Sequence, residues 1–327
     1  FFSASALLNV PPAAVVDDSF VLPPELHALL DRLACRVHSD KLLTFLAAAY
    51  SSWAATGLDT DFADENGYLV PYTFPQRLTY GPCRSGPEYR NVGYYGTDAT
   101  TPIGEHTWLM AQLSAACAVK AAQMLQVESC QAVYACTIHP GHHAGTSTYS
   151  GYCYINNCAL AAEALLELHS RVAVIDVDYH HGNGTQEIFY ARADVLTASL
   201  HITPDVDYPF YSGYADEEGV DAGQGYNVNV PLPTGTGVQE YLHALQDVLE
   251  RVRIFDPGAI VVAFGGDTLD KDPDANPNGG FCLQVADYQL VGAALAGLGL
   301  PTVITQEGGY SMEHIGDVLE SFLSGFA

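Results

Sequence analysis

Asp176, Asp178 and His180 stand at period two just past an apolar run, Val172 to Ile175. An extended backbone sends alternate side chains to one side, so all three face the same way. Two carboxylates and an imidazole beside a buried strand are expensive to desolvate without a compensating cation. Asp178 and His180, joined by Asp267 after a second apolar run, offer a divalent metal one nitrogen and two oxygen ligands. Such an open three-ligand set is the catalytic zinc pattern, whereas a structural site is closed, usually by cysteines. The adjacent pair His142–His143 supplies a general base and acid, oriented by partners such as Asp176 and Asn183. Tyr310, carried on Gly308-Gly309, is placed to donate a hydrogen bond to a developing oxyanion. Metal-assisted amide hydrolysis is the chemistry these residues share.

Each feature alone has a plainer explanation. An Asp at a strand end often caps the next helix, and Gly-Gly-Tyr can be only a turn. What joins them is the pattern of elements. Short apolar, β-branched runs at Ala132–Ile138, from Val172, at Val195–Ile202, Ala259–Phe264 and Pro301–Thr305 read as buried strands. Asn227–Leu232 reads as a short or edge strand, because Pro231 cannot donate to a central ladder. Helical stretches are expected at Pro24–Cys35, from Val37 through Leu46, and at Trp108–Gln126, Ala159–His169, Tyr241–Arg253 and Val285–Leu298. His38, at the start of the second, reads as a capping or packing residue.

Alternating strands and helices predict an α/β fold: a doubly wound parallel sheet with helices on both faces. Ligands of such sheets lie beyond the carboxyl ends of the strands. His142/His143, Asp176/Asp178/His180, His201, Asp267 and Tyr310 all follow strand ends, which makes them one site. The stretch 67–105 loses periodicity and carries Tyr68, Tyr72, Tyr80, Tyr89, Tyr94 and Tyr95, as a lid, rim or interface loop would.

Twelve Lys+Arg against thirty-eight Asp+Glu leave 327 residues with a net charge of −26. That field repels phosphate backbones and attracts small cationic substrates, although solubility or a salty medium would also account for it. Nucleic acid is excluded as a partner, and no apolar run is long enough to span a membrane. A 48% hydrophobic chain with Gly 30 and Pro 18 is globular rather than disordered, and its length suits one large domain, 1–327. Eight cysteines without a CxxC pair fit a reduced, cytoplasmic protein. The opening Phe1-Phe2-Ser3-Ala4 lacks an initiator Met and a basic leader, and no localisation is drawn from it.

His139-Pro-Gly-His-His-Ala-Gly145, Gly151-Tyr-Cys-Tyr-Ile-Asn-Asn157, Asp176-Val-Asp-Tyr-His-His-Gly-Asn-Gly184 and Glu307-Gly-Gly-Tyr310 resemble the zinc-dependent histone deacetylase superfamily. The resemblance runs from about Trp108 to the C-terminus, more weakly before it. Asn183 and the stretch 210–217 are similar to the branch of bacterial acetylpolyamine amidohydrolases and class II deacetylases, and 92–102 resembles the loop with which the polyamine enzymes narrow their entrance through dimerisation. The resemblance implies the arginase–deacetylase fold and zinc held by Asp178, His180 and Asp267. It makes His143 the general base and acid, His142 its electrostatic partner linked to Asp176, and Tyr310 the carbonyl-polarising donor. Tyr152 and Tyr208 would line the channel, with His201 counted among its residues and Asp274 where animal polyamine deacetylases place an acidic gatekeeper. A structural potassium is implied near Asp176, Asp178, His180, Ser199 and Leu200, and a homodimer by the entrance loop. The chain departs from the family at Ile138-His139-Pro140, where Arg-Pro-Pro is usual, in the loop 274–280, and at Thr100, where the bacterial polyamine enzymes carry an acid.

The function expected is a zinc-dependent amidohydrolase acting on acetylated polyamines or related small cationic amines. The alternative is a protein lysine deacetylase, with an acetyl-lysine substrate and an open rim. A non-catalytic protein on the same fold would have lost a ligand or the tyrosine. A binuclear ureohydrolase would need more Asp and His ligands than this stretch offers.

Overall fold

The computed structural model describes residues 22–75, 81–127, 130–275, 277 and 279–327. Tyr80 of the entrance loop, and Asn276 and Asn278 of the 274–280 loop, lie outside them. Six strands form a parallel sheet in the order β1-β6-β5-β2-β3-β4: β1 (Ala132–Ala135), β2 (Val172–Asp176), β3 (Val195–Ile202), β4 (Asn227–Leu232), β5 (Ala259–Phe264) and β6 (Thr302–Gln306). The strands split their side chains by parity. Val172 and Val174 pack with Val261, Val303 and one set of helices, while Ala173 and Ile175 pack with Val262, Ile304 and the other. The first set is α1 (Pro24–Val37), α2 (Asp40–Ala54), α4 (Thr107–Val127) and α5 (Asn157–Leu166), with the short α3 (Val92–Tyr95) beside them. The second is α7 (Val238–Phe255), α8 (Tyr288–Ala296) and α9 (Ile315–Ser324); α6 (Asn183–Phe189) follows β2. Covered on both faces, β2, β3 and β5 are buried along their whole length, as the inner strands of a parallel sheet are.

The expected elements recur with shifted bounds. The run at 132–138 pairs only as far as Ala135 and is half-buried, because β1 is an outer strand bonded to β6 alone. Pro231 sits in β4 at the opposite edge, where its missing N–H breaks no ladder. The stretch expected as a helix at 285–298 opens as a 3₁₀ turn, Val285–Asp287, before α8 begins. No helix of the described residues is long and apolar enough to cross a membrane.

From β2 the chain moves outward to β3 and β4; from β5 it moves the other way to β6. The crevice above the neighbouring ends of β2 and β5 is therefore the switch point, where open α/β sheets bind their ligands.

His38 ties the helical layer to the loops at that end. Its Nε2 accepts from Asn156 N (2.9 Å), so its Nδ1 donates to the Gly145 carbonyl (2.8 Å), an arrangement only the neutral ring can make. Burial pushes its pKa from an ordinary 6.5 to about 4. The unfolded chain thus binds more protons between those values, and stability from this site, complete above pH 6.5, is lost as pH falls toward 4. The gap in unfolding free energy between wild type and His38→Gln should shrink by about 2 kcal/mol from pH 7 to pH 5. Urea unfolding at both pH values measures it; parallel changes would remove this role.

Candidate active site

Past the end of β2 the alternation of the strand persists. Val177 and Tyr179 join Ala173 and Ile175 in the second apolar cluster, leaving Asp176, Asp178 and His180 on the other side. Asp267 arrives from β5, across the crevice. Asp178, His180 and Asp267 each present a ligand atom within 4.8 Å of the others. His180 Nδ1 lies 3.4 Å from Asp178 Oδ1 and 3.1 Å from Asp267 Oδ2.

Backbone amides orient both carboxylates. Asp178 receives His180 N at 2.8 Å and Gly308 N at 2.7 Å; Asp267 Oδ1 receives Tyr179 N at 3.0 Å. Gly308 can come this close only without a side chain: a Cβ there would sit 2.5 Å from Asp267 Oδ2 and 2.7 Å from Asp178 Oδ2.

Burial and the neighbouring Asp178 push the Asp267 carboxyl up to about 7. Burial also opposes the charge on Asp178, but His142 and His180 hold its carboxyl below the usual range. Among the described residues, the charged partners within 4 Å of these carboxylates are all histidines. Two enclosed carboxylates without a lysine or arginine, beside an imidazole, fit a divalent cation. A second cluster, His142, Cys153 and Glu307, has comparable spacing. Its groups are already engaged: His142 by Asp176, Glu307 by backbone amides, and the Cys153 thiol by the Gly151 carbonyl.

The tandem histidines come from the loop after β1, and their rings lie 4.0 Å apart. His142 Nδ1 meets Asp176 Oδ2 at 2.9 Å; burial opposes its charge, yet Asp176 and Asp178 prevail and push the imidazole up to about 10. His143 Nδ1 donates to Asn183 Oδ1 at 2.7 Å, leaving Nε2 as the lone-pair nitrogen. Burial, then the nearby His142 and His180, hold His143 well below the ordinary histidine value. Adjacent residues in the chain thus become one cation and one neutral base, a division of labour typical of acid–base sites.

Tyr310 follows β6, its N–H fixed by Asp272 Oδ2 at 2.6 Å, and burial raises its phenol so that it remains a donor. Its ring lies 5.8 Å from Tyr152, edge to face. Tyr208 stands across the site, 4.9 Å from the ring of His143 and 6.4 Å from that of His180. Tyr152 is 36% exposed, and Phe210, Tyr211 and Met312 are exposed beyond the site residues. Gly151 and Tyr152 both have positive φ (54° and 66°), and a Cβ on Gly151 would stand 2.2 Å from His143 Cδ2. That turn is pinned from the entrance stretch: Asp98 accepts from Gly151 N at 2.6 Å and Thr101 Oγ1 from Tyr152 N at 3.0 Å. Asp274 Oδ2 lies 3.8 Å from His180 Nε2 and is part-exposed, the nearest carboxylate of the 274–280 loop to the site.

His201 belongs elsewhere. It is fully enclosed, with Nδ1 2.8 Å from Ser199 Oγ, Nε2 2.8 Å from the Gly213 carbonyl and its ring 4.4 Å from that of His181. The loop after β3 closes over it, so it packs behind the site and not along a channel. His139 turns its ring edge-on to Tyr154 at 4.9 Å. Asp176 and Ser199 are directly paired in β2 and β3, beside Leu200, and Ser199 Oγ also lies 3.2 Å from His181 Nδ1. Asp98 and Glu307 are the site-forming residues that sequence reading passed over. Glu307 had a signal, its place in Glu-Gly-Gly-Tyr; Asp98 had none beyond being an acid in a tyrosine-rich loop.

Residues 10–326 match the histone deacetylase domain family. Acetylpolyamine amidohydrolase 1 of Pseudomonas aeruginosa is 41% identical over 296 residues, covering 89% of this chain and 81% of that protein. The acetylpolyamine amidohydrolase of Mycoplana ramosa is 38% identical over 327 residues, covering 100% of this chain and 91% of its own. In structure the chain is similar to the acetylpolyamine aminohydrolase of Burkholderia pseudomallei, with a TM-score of 0.83 and 37% identity over 91% of this chain and 82% of that one.

Proposed function

This chain belongs to the histone deacetylase domain family, and from that premise we propose that it is a zinc-dependent amidohydrolase that deacetylates acetylated polyamines or related small cationic amines. One observation carries the chemistry: Asp178, His180 and Asp267 converge at the switch point of the sheet, between the His142–His143 pair and Tyr310. The relatives' activities and the acidic excess of the chain support the substrate class.

Asp178, His180 and Asp267 would hold the zinc. When bound, it supplies Lewis-acid polarisation of the acetyl carbonyl and acidifies water. His143, neutral and fixed through Nδ1 by Asn183, takes the proton of the attacking water at Nε2 and later delivers it to the leaving nitrogen. His142, charged and held by Asp176, places a positive field beside it. The Tyr310 hydroxyl donates to the carbonyl oxygen as negative charge develops there. Water and the acetamide become acetate and free amine. Tyr152 and Tyr208 flank the acyl chain, and Asp274 offers a carboxylate to the distal ammonium. The homodimer and the structural potassium near Asp176, Asp178, His180, Ser199 and Leu200 belong to the same proposal, the latter supported by the pairing of Asp176 with Ser199. Sedimentation and potassium titration of activity decide them.

The test is a side-by-side kcat/KM for N-acetylputrescine and an acetyl-lysine tetrapeptide. The proposal expects the diamine to win by about tenfold or more, roughly 1.4 kcal/mol of discrimination. It also expects Asp274→Asn to raise KM for the diamine by about fivefold to tenfold, while an uncharged N-butylacetamide is handled as before. An enzyme that hydrolyses the peptide and leaves the diamine intact is a protein deacetylase instead.

A further inference from the structure

Resting on that function, we propose that Glu307 is a positioning residue for the reaction: its buried carboxylate clamps the loop that carries His142 and His143. The stretch 136–147 has no helix or strand to hold it. Several of its amides are satisfied by side chains reaching in from elsewhere. Ser114 Oγ takes Ile138 N and His139 N at 2.9 and 3.0 Å, and Glu307 Oε2 takes Gly141 N and His142 N at 2.6 and 3.1 Å. The other oxygen of Glu307 accepts from Thr305 Oγ1 at 2.8 Å, which sets the carboxylate plane.

Nothing about packing calls for an acid there. Glu307 is 6% exposed, and among the described residues no lysine or arginine lies within 4 Å of it. Burying a carboxylate costs several kcal/mol, offset only in part by the His142 cation beside it, and an apolar side chain would serve stability better. What the carboxylate adds is two charge-assisted bonds to consecutive amides, stronger than any neutral acceptor would make. They fix the backbone at Gly141 and at His142, the residue before His143. The same short segment also reaches the other side of the site. Gly308 N is bonded to Asp178, and Tyr310 follows two residues later. One tetrapeptide thus sets the register between the carboxylate ligand, the phenol and the tandem imidazoles. A shift of about 1 Å in such a constellation is enough to lose about 100-fold in rate.

The experiment measures, for wild type, Glu307→Ala and Glu307→Gln, kcat and KM on N-acetylputrescine and on the acetyl-lysine peptide, zinc content, and hydrogen exchange of the Gly141 and His142 amides. For Glu307→Ala the expectation is a kcat about 100-fold lower, KM within twofold, zinc unchanged and faster exchange at both amides. Glu307→Gln, which keeps an acceptor oxygen, should recover to within about tenfold of wild type. If the alanine variant does not fold, the glutamine variant decides: a modest kcat loss with faster exchange supports the clamp, and wild-type kcat and exchange overturn it. A kcat loss that only follows loss of zinc or of folded protein overturns it as well. A wild-type enzyme active on neither substrate overturns the functional reading and this inference with it, whereas an active wild type with unchanged variants overturns the clamp alone.

Discussion

His143→Ala should lower kcat by about 10³- to 10⁴-fold, with zinc content and KM near wild type. The size follows from what a positioned acid–base group contributes, about 10²- to 10⁴-fold, taken at its upper end because the proposed mechanism gives one ring two proton transfers. The ring is suited to both. Its Nδ1 proton is committed to Asn183, so Nε2 is the only nitrogen that can accept, and burial with two neighbouring imidazoles keeps it unprotonated at neutral pH. Removing it leaves His142, which cannot substitute: Asp176 and Asp178 hold that ring protonated up to about 10. His142→Ala should therefore be the milder lesion, and Asn183→Leu should reproduce part of the His143 defect by freeing the tautomer. Steady-state kinetics with metal analysis on the same preparations checks all three. A His143→Ala enzyme within tenfold of wild type would give the proton transfers to another group.

The grouping of the candidate site residues was legible because it is written at short range. Period two past an apolar run placed Asp176, Asp178 and His180 together, and the structure keeps that alternation beyond the last ladder bond, with Val177 and Tyr179 on the opposite side. The strand-end rule gathered Asp267 and Tyr310 from distant segments, because all six strands are parallel and the chain leaves β2 and β5 toward opposite edges of the sheet, opening the crevice between their ends. The same rule misplaced His201. It too stands near a strand end, but whether a loop covers that end depends on the fold of 203–213, whose Gly213 carbonyl takes the ring nitrogen. Strand order was equally hidden. An apolar run looks the same at the centre and at the margin of a sheet, so β1 was expected to be buried and is only half so. Asp98 acts through one bond to a segment 53 residues away and Glu307 through two to a segment more than 160 residues away, and no local pattern encodes such contacts. What sequence shows is which candidate groups can meet; what it conceals is the scaffold that sets their angles.

Asp267→Asn should separate stability from activity at the candidate metal centre. With no cation bound, Asp267 carries a burden: burial and Asp178 push its carboxyl up to about 7 from an ordinary 3.8. A raised folded-state value means that the folded protein binds the extra proton, so the metal-free enzyme loses stability as pH rises through about 4 to 7. Asparagine is nearly isosteric and has no charge to desolvate. Its oxygen can still accept from Tyr179 N. Metal-free Asp267→Asn should accordingly melt no lower than metal-free wild type at pH 8. Its kcat/KM, by contrast, should fall by about 10³-fold or more, since it loses a charged ligand and with it several kcal/mol of transition-state stabilisation. Zinc supplies the control. It binds deprotonated ligands and stabilises the folded state by mass action, so it should raise the Tm of wild type more at pH 8 than at pH 6 and raise that of the variant little at either. Thermal melts of dialysed and zinc-loaded protein at the two pH values read both effects. A variant that melts well below metal-free wild type at pH 8 would mean that Asp267 is retained for the fold. One that melts normally and has lost turnover means that the acid is kept, against the stability of the empty site, for the cation.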